Sequence, residues 1–448
     1  MEKLKRALKY LDKLLLKSSE GAFNYNGTFI SRNQFLLEVE VLAAKISKKE
    51  GHRWALCYQN SYKFSVALLA VLCNKKTPIL LPNNQLGTVQ SFSKSYDDIM
   101  SDIPNLPCAL FNDTDASFLC TNLDIHQKII LFTSGSTGEP KQIVSTLGQL
   151  FIEIFYLEKC FGKVMSRNKV YSTISHHHKY GLIFSVLWPL TCNRIIYLPA
   201  LDYPEHIVNL ANNELDIVLV TSPAILKRIA GPTCLTNNWL IFSSGGPLPK
   251  ISAKNISRIL GVYPIEVLGS TETGGIAFRQ QNQAEHKDYW TCLPGVSVSI
   301  EKSSGCLNVI SDFFEGDNPY PIGDYAEIRD DGRFSLLGRS DRIVKIEEKR
   351  VSLNDIERRL GEIDWIADSK ALFFDGSRQC IAVVIVLSTV GYDSLERNGK
   401  LFVNKKIQKY LSFYFDRVTL PKRFRYLSEI PTNRLGKYIL SDLKLLFK

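Results

Sequence analysis

Residues 129–141 read IILFTSGSTGEPK, and this stretch indicates how the first part of the chain folds. The apolar residues at its start predict a short buried strand, and the Ser, Thr and Gly residues that follow predict a loop. Small residues let successive main-chain N–H groups approach an anion closely, and Lys141 adds a positive charge, so the loop suits a polyphosphate. Its spacing is not that of the usual P-loop, which requires a Gly-Lys-Ser/Thr triplet. The alternative is a flexible surface turn.

Short apolar runs recur along the first 340 residues, and several are followed by a loop and then by helical periodicity. In DIVLV followed by TSPAILKRIA, Ser222 is placed to cap a helix and Pro223 suits its first turn. Alternation of strands and helices predicts parallel sheets covered by helices, which is an α/β architecture. The other apolar runs lie at 54–57, 78–81, 239–242 and 265–268.

The pattern changes near residue 340. RIVKI (342–346) alternates as a half-exposed strand, and Ser352 with Asp355 three positions later is typical of a helix-capping box. ALFFDGSRQCIAVVIV predicts a hairpin that turns near Asp375. We therefore expect a large N-terminal domain, residues 1–340, of helix-covered and mainly parallel sheets, followed by a small α+β domain, residues 341–448.

Two further strand ends carry residues that suit a nucleotide. GSTETGG (269–275) follows the run IEVL and includes Glu272, a carboxylate suited to the Mg²⁺ that accompanies ATP. SSGGPLP (243–249) follows the run WLIF, and its glycines Gly245 and Gly246 would let a flat ring lie against the main chain. Each of these segments alone could be an ordinary turn. It is their order and spacing along the chain that indicate a nucleotide-binding site.

Three charged residues complete the set. Asp324, in YPIGDYAEI, suits bidentate hydrogen bonding with ribose hydroxyls, and Arg339, in GRSD, suits a phosphate or sugar oxygen. Lys437, in PTNRLGK, lies on a glycine-containing segment near the C-terminus.

In this order, the motifs resemble the adenylate-forming superfamily of acyl- and aryl-CoA synthetases, peptide-synthetase adenylation domains and firefly-type luciferases. The resemblance covers nearly the whole chain and implies an enzyme that uses ATP and Mg²⁺, with a C-terminal domain that is mobile about a hinge at Asp341. It implies Lys437 as the catalytic lysine between the carboxylate and the α-phosphate, Thr271 on the α-phosphate and Glu272 on the metal. The remaining implied residues are Thr133, Ser134, Gly135, Ser136, Thr137, Gly138 and Lys141 for the phosphates, Ser244, Gly245 and Gly246 for adenine, and Asp324 and Arg339 for the ribose.

The segment SHHHKYG (175–181) is similar to the His-x-x-Gly motif of this superfamily, in which the histidine borders the carboxylate of the acid. The resemblance therefore implies a functional role for His178. Three consecutive histidines could also suggest a metal site, but neighbouring strand residues point to opposite faces, and we expect structural roles for His176 and His177. Amino-acid-activating relatives hold the α-amine with an Asp in this region. None occurs between 175 and 201, which favours a plain acyl or aryl acid as substrate.

The chain departs from the superfamily pattern at three positions, which hold Leu268, Gln142 and Glu348. The last is the most informative, because relatives usually have glycine where the pantetheine arm passes. The Glu-Glu-Lys-Arg sequence at 347–350 and the basic C-terminal segment resemble ligases that prime acyl carrier proteins in aryl-polyene-type assembly lines. The alternatives are a ligase that uses free CoA, a catalytically inactive nucleotide-binding protein, and a luciferase-like oxygenase.

Composition sets further bounds. The net charge is +10, and residues 400–448 hold 12 Lys/Arg against three Asp/Glu, which would suit nucleic acid, an anionic membrane or an acidic protein, or form a solvated surface. We expect the acidic carrier protein and no nucleic acid. The longest apolar run, 64–73, is about half the length needed to span a membrane, so no membrane span is expected. Ten cysteines without a CxxC motif favour free thiols and a cytoplasmic location.

Overall fold

The structure is a computed structural model that describes residues 2–104, 106, 123–133, 141–165, 169–231, 238–282, 289–314, 318–339, 342–346, 349–374, 379–432 and 438–447. Its helices are α1 (Glu2–Leu14), α2 (Arg32–Ser47), α3 (Ser61–Cys73), α4 (Leu86–Ser91), α5 (Leu147–Phe161), α6 (Lys179–Gly181), α7 (Trp188–Thr191), α8 (Pro204–Asn213), α9 (Pro223–Leu226), α10 (Lys250–Leu260), α11 (Leu353–Leu360), α12 (Thr389–Leu411) and α13 (Leu440–Leu445). A π-helical stretch, Leu182–Leu187, joins α6 to α7, and short 3-10 helices lie at Ser93–Ser95 and Arg417–Thr419.

The strands are β1 (Gly21–Tyr25), β2 (Thr28–Ser31), β3 (Arg53–Cys57), β4 (Thr77–Leu80), β5 (Asp98–Ser101), β6 (Lys128–Thr133), β7 (Lys141–Thr146), β8 (Lys169–Ser172), β9 (Ile195–Leu198), β10 (Val218–Thr221), β11 (Leu240–Ser243), β12 (Ile265–Ser270), β13 (Gly274–Gln280), β14 (Thr291–Cys292), β15 (Val296–Ile300), β16 (Cys306–Ser311), β17 (Tyr320–Ile328), β18 (Phe334–Arg339), β19 (Ile343–Ile346), β20 (Lys349–Ser352), β21 (Ile366–Phe374), β22 (Cys380–Leu387) and β23 (Arg423–Leu427).

Two mainly parallel sheets form the first part of the molecule. A five-stranded sheet has the order β5-β3-β4-β6-β7, with all pairs parallel except β6 with β7. A nine-stranded sheet has the order β14-β13-β12-β11-β10-β8-β9-β1-β2, with parallel pairing from β12 to β1. The strand-length apolar runs of the sequence lie within these strands or overlap them. The predicted α/β class is confirmed.

The largest core cluster contains side chains from both sheets and from the helices that cover them. Helix α3 is apolar on every side, and its residues from Phe64 to Leu72 are buried. They share a cluster with Leu131 of the five-stranded sheet and Val220 of the nine-stranded sheet. The longest apolar run of the sequence is therefore a core helix. Among the described residues, none of the helices combines the length and apolar character that a membrane crossing needs.

The rest of the chain forms smaller antiparallel and mixed sheets. Strands β15 to β18 form a four-stranded sheet in chain order, β19 pairs with β20, and β21, β22 and β23 form a three-stranded sheet. Helices α11 and α12 contribute to a second core cluster with the last of these sheets, centred on residues such as Ile356, Val383 and Ile407. Residues 340 and 341 lie outside the described part of the chain, so the domain boundary near 340 stays a prediction.

A polar contact joins this C-terminal part to the residue that follows helix α9. The Lys227 ammonium, just after α9, lies 2.7 Å from the Tyr438 hydroxyl and 3.1 Å from Asp368 Oδ2. The Tyr438 hydroxyl in turn donates to Asp368 Oδ2 at 2.8 Å. The residue next to the predicted catalytic lysine is therefore bonded to the N-terminal part of the chain.

Three local predictions need correction. Ser222 precedes α9 and Pro223 occupies its first turn, but the serine side chain makes no capping hydrogen bond. Ser352 accepts from the Asp355 N–H, as half of a capping box would, whereas the Asp355 carboxylate binds Arg358 instead. Cys73 is disulfide-bonded, contrary to the expectation of free thiols. Other described cysteines are free, namely Cys57, Cys160, Cys192, Cys292, Cys306 and Cys380.

Candidate active site

Three neighbouring parallel strands bring two of the predicted site segments together. Strand β10 pairs with β11 so that Thr221 lies opposite Ser243, and β11 pairs with β12. The carboxyl ends of parallel strands meet at one edge of a sheet, where α/β proteins bind their ligands. The Ser244 hydroxyl donates to the Val267 carbonyl at 2.8 Å, which ties the segment after β11 to β12. Segments 243–246 and 269–275 are therefore adjacent.

The glycines after β11 leave open space at this edge. Gly245 has a φ of +92°, which favours glycine, and a Cβ added at Gly245 or at Gly246 would meet no atom within 4 Å. An uncovered stretch of main chain of this kind fits a flat ring placed against it. The predicted adenine-binding role of Ser244, Gly245 and Gly246 agrees with this local shape and stays a prediction.

The loop 269–275 is tightly folded on itself. A Cβ added at Gly269 would lie 2.5 Å from the carbonyl oxygen of Gly274, so the two ends of the loop approach closely. The Ser270 hydroxyl accepts from the Thr273 N–H at 3.1 Å. Thr271 and Glu272, between these anchor points, are half-buried. The loop therefore presents one hydroxyl and one carboxylate on a compact turn.

A buried ion pair lies beneath this loop, and the sequence did not predict it. Lys179 Nζ donates to the carbonyl of Thr271 at 3.2 Å and lies 3.9 Å from Glu153 Oε2. The Gly275 N–H donates to Glu153 Oε1 at 2.8 Å. Both charged side chains are almost fully buried, with 6% and 3% exposure. The signal in the sequence is a charged residue inside each of two apolar segments, FIEIF and HKYGLIF.

Burial dominates the electrostatics of this pair. It lowers the pKa of the Lys179 ammonium, against the opposing effects of the Glu153 and Glu272 carboxylates. It also raises the pKa of Glu153, against the opposing effects of Lys179 and of the Gly275 N–H.

His176 and His177 make structural contacts, but from a turn and not from a strand, and the functional role of His178 stays a prediction. His176 and His177 are buried, and their Nε2 atoms lie 2.9 Å and 3.1 Å from the carbonyl oxygen of Tyr58. Because a carbonyl oxygen only accepts, both rings carry their proton on Nε2. Burial lowers the pKa of both rings, that of His177 to about 4. His178 is half-buried and directly precedes Lys179, whose ammonium contacts the loop 269–275.

The glycine- and serine-rich stretch connects two antiparallel strands. Thr133 ends β6 and lies opposite Lys141, the first residue of β7, so these two residues form the base of the connection. The Lys141 side chain is exposed. The predicted phosphate-binding residues between them, Ser134, Gly135, Ser136, Thr137 and Gly138, lie outside the described part of the chain, and their roles stay predictions.

The two predicted ribose-binding residues are neighbours. Asp324 of β17 lies opposite Arg339 of β18 in the antiparallel register, and Asp324 is half-buried. The predicted hinge Asp341 and the predicted catalytic lysine Lys437 both lie outside the described residues.

One protein-family model matches part of the chain. Residues 126–306 match the model of the family described as AMP-binding enzyme. This segment of the chain is therefore similar to the AMP-binding enzymes. The matched segment contains the 129–141 stretch, the strands β10 to β12 and the loop 269–275, so it includes the sheet edge described above.

Several named proteins are similar to this chain in sequence or in structure. Acetyl-coenzyme A synthetase from Pyrobaculum arsenaticum is 22% identical over 370 residues, covering 71% of this chain and 54% of that protein. A 4-coumarate–CoA ligase from Cereibacter sphaeroides is 25% identical over 321 residues, covering 68% of each. The crystal structure of ATP-bound MatB from Rhodopseudomonas palustris superposes with a TM-score of 0.81 at 17% identity, covering 99% of both chains. The chain thus spans about half the length of the first of these relatives, and the structural likeness extends over the whole fold.

Proposed function

We propose that this adenylate-forming protein activates a carboxylic acid with ATP and then transfers the acyl group to a thiol. In the first step, a carboxylate oxygen attacks the α-phosphorus, and pyrophosphate leaves with its electron pair. In the second step, a thiolate attacks the acyl carbon, and AMP leaves. The observation that carries this proposal is the meeting of segments 243–246 and 269–275 at one sheet edge. That arrangement lets one nucleotide touch both segments.

The residues of the chain would do the electrostatic work of the first step. A carboxylate and a triphosphate repel each other, so the site must neutralise and align both groups. Lys437 would stabilise charge on the transferring group, Thr271 would donate to the α-phosphate, and His178 would border the carboxylate. The Thr133–Lys141 base would hold the loop that binds the leaving pyrophosphate.

The donor set near Thr271 and Glu272 fits a magnesium ion. Mg²⁺ prefers oxygen ligands, and a half-buried carboxylate beside a hydroxyl on a compact turn supplies them. Glu272 would hold the ion, which supplies charge neutralisation on the ATP phosphates. Asp324 would take the ribose hydroxyls and Arg339 would assist there.

An exposed stripe on α12 favours a carrier protein as the thiol partner. The inner face of the helix, with Val403, Ile407 and Leu411, is buried in the second core. The outer face, which we call the α12 stripe, consists of Phe402, Lys405, Lys409 and Phe413, and Phe413 follows the end of the helix. Phe402 is 50% exposed and Phe413 is 79% exposed.

Two aromatic side chains that bracket two lysines suit a partner with an acidic helical surface and a few apolar residues. Acyl carrier proteins have such a surface, and free CoA has no helix to place on it. Charge complementarity of this kind raises the association rate and is screened by salt, with a Debye length of about 8 Å at physiological ionic strength. The names of the curated relatives instead favour free CoA, so the experiment must compare the two acceptors.

Pyrophosphate exchange tests the first step. We expect exchange with a plain aryl or fatty acid and little exchange with amino acids, because no Asp occurs between 175 and 201 to hold an amine. Glu272→Gln should abolish exchange without changing thermal unfolding. A folded wild-type protein that exchanges pyrophosphate with none of a broad panel of acids would refute the proposed reaction.

Thioester formation with two acceptors tests the partner. We expect the wild-type protein to load a holo acyl carrier protein faster than free CoA, and loading to slow as salt rises. The double variant Lys405→Glu/Lys409→Glu should load carrier about tenfold more slowly at low salt, with unchanged pyrophosphate exchange. Lys406 is left in place because its ammonium lies 5.2 Å from the Trp365 ring centre.

A matched control distinguishes the effect of charge on the α12 stripe from the effect of net charge. Lys48 and Lys49 are exposed at the end of α2, and Lys48→Glu/Lys49→Glu produces the same change in net charge. This control should load carrier at the wild-type rate. Faster thioester formation with free CoA, or equal slowing in both double variants, would contradict the carrier-protein proposal and favour an ordinary CoA ligase.

A further inference from the structure

The buried pair Lys179–Glu153 connects two helical segments to the underside of the loop that carries Thr271 and Glu272. Glu153 belongs to α5 and Lys179 to α6, and neither element contributes another predicted contact with the nucleotide. Lys179 binds the loop at the Thr271 carbonyl, and Glu153 binds it at the Gly275 N–H. The loop is therefore held at one residue before Glu272 and at three residues after it.

Buried charge at this place is unusual for a purely structural contact. Charged side chains are rarely fully buried, and an apolar pair of similar volume is often as stable as a buried ion pair. The geometry of the pair is also incomplete, since the 3.9 Å separation is too long for a hydrogen bond, and Glu153 Oε2 has no hydrogen-bond partner in the part of the chain that the structure describes. The pair is better suited to fixing the loop than to stabilising the fold.

We propose that Lys179 is a positioning residue, which fixes the Thr271 carbonyl and thereby aims the Glu272 carboxylate and the Thr271 hydroxyl at the metal–nucleotide complex. This inference rests on the proposed function, because the roles of Thr271 and Glu272 come from it. Lys179 itself acts from below the loop through its bond to the main chain. Glu153 serves as its counter-charge and as the acceptor for Gly275.

The informative variant removes both charges together. In Lys179→Met/Glu153→Gln, the methionine fills the space of the lysine stem without a donor, and the glutamine retains an oxygen for the Gly275 N–H. No unpaired buried charge remains, so the variant should fold with a melting temperature close to that of the wild type. Removal of Lys179 alone would leave Glu153 buried and unpaired, and loss of folding would then obscure the result.

The measurement is nucleotide affinity by calorimetry, once with ATP and Mg²⁺ and once with ATP and EDTA. Losing one hydrogen bond to a charged group corresponds to an affinity change of about tenfold. We expect the double variant to bind MgATP about tenfold more weakly and to bind metal-free ATP with less than about a twofold change. The turnover number for pyrophosphate exchange should fall in parallel with MgATP affinity.

Lys76→Met is the matched control. Lys76 is also a buried lysine, 8% exposed, and its ammonium donates to the Gly51 carbonyl at 2.7 Å, outside the predicted site. Its replacement should lower the melting temperature and leave the affinity for MgATP unchanged.

Two results would overturn the inference. One is wild-type MgATP affinity and turnover in the double variant, which would make the pair purely structural. The other is equal weakening with and without Mg²⁺, which would indicate general displacement of the loop. If the wild-type protein binds MgATP but activates no acid, the proposed reaction fails, while the affinity difference still decides the role of Lys179.

Discussion

Gly274 offers a quantitative test of how the loop 269–275 is held. Its φ is +70°, and a Cβ added there would lie 2.4 Å from Glu153 Oε2. Alanine at Gly274 therefore meets two separate penalties. A left-handed main chain costs about 1–2 kcal/mol for a residue with a Cβ. The overlap also displaces a buried carboxylate from the Gly275 N–H, and losing a hydrogen bond to a charged group costs about 1.5–3 kcal/mol.

Gly27 provides the matched control for this substitution. It has a φ of +88°, lies in the turn between β1 and β2 of the same nine-stranded sheet, and a Cβ there would meet nothing within 4 Å. Gly27→Ala should therefore destabilise the protein by about 1–2 kcal/mol, through the main chain alone. Gly274→Ala should destabilise it by about 2.5–5 kcal/mol, the sum of both terms.

Urea denaturation followed by tryptophan fluorescence measures the free energy of unfolding of both variants, and pyrophosphate exchange measures their activity. We expect Gly274→Ala to lose exchange activity as well, because the displaced Glu153 no longer holds Gly275. Equal destabilisation by the two substitutions would refute the argument that Glu153 fills the space beside Gly274.

Two further predictions concern His177 and the predicted catalytic lysine, Lys437. The pKa of His177 is about 4 in the folded protein and about 6.5 in the unfolded chain, so the unfolded chain binds more protons between these values. The contribution of neutral His177 to stability is present in full above pH 6.5 and is lost as the pH falls toward 4. Urea denaturation at a series of pH values should therefore show that the free energy of unfolding falls by about 3 kcal/mol less in His177→Gln than in the wild type. Lys437→Ala should slow adenylate formation by about 10²–10³ without unfolding the protein, while transfer from a preformed acyl adenylate survives. Loss of both half-reactions would contradict that division of labour.

Much of the fold was predictable because its signals are local. Runs such as 217–220 and 239–242 consist almost entirely of apolar residues over the length of one strand, and a strand buried on both faces needs little else to be recognised. Glycine-rich strand exits at 243–249 and 269–275 stand out for the same reason. The cap at Ser222 was predicted incorrectly, because residue preference gives the position of a helix start but not the direction of one hydroxyl.

Part of the candidate site could not be found from local patterns. Glu153 and Lys179 are separated by 26 positions in the sequence, and the loop that they hold lies about a hundred residues further on. No periodicity connects such residues. Lys141 was expected at the end of a loop, and only strand pairing places it opposite Thr133 as the first residue of β7.

The sequence by itself determined the α/β class, the resemblance to the adenylate-forming superfamily and the residue types that a nucleotide and its metal would require, since these depend on strand-length apolar runs and on a few residues next to each run. The tertiary structure decided which of these segments are neighbours and what holds them. Parallel pairing of β10, β11 and β12 brings three strand ends to one edge, and the side chains of Glu153 and Lys179 are buried beneath it. Lys179 and Glu153, buried there, bind the loop at the Thr271 carbonyl and the Gly275 N–H, and for this reason we infer that two residues included in no motif orient Thr271 and Glu272.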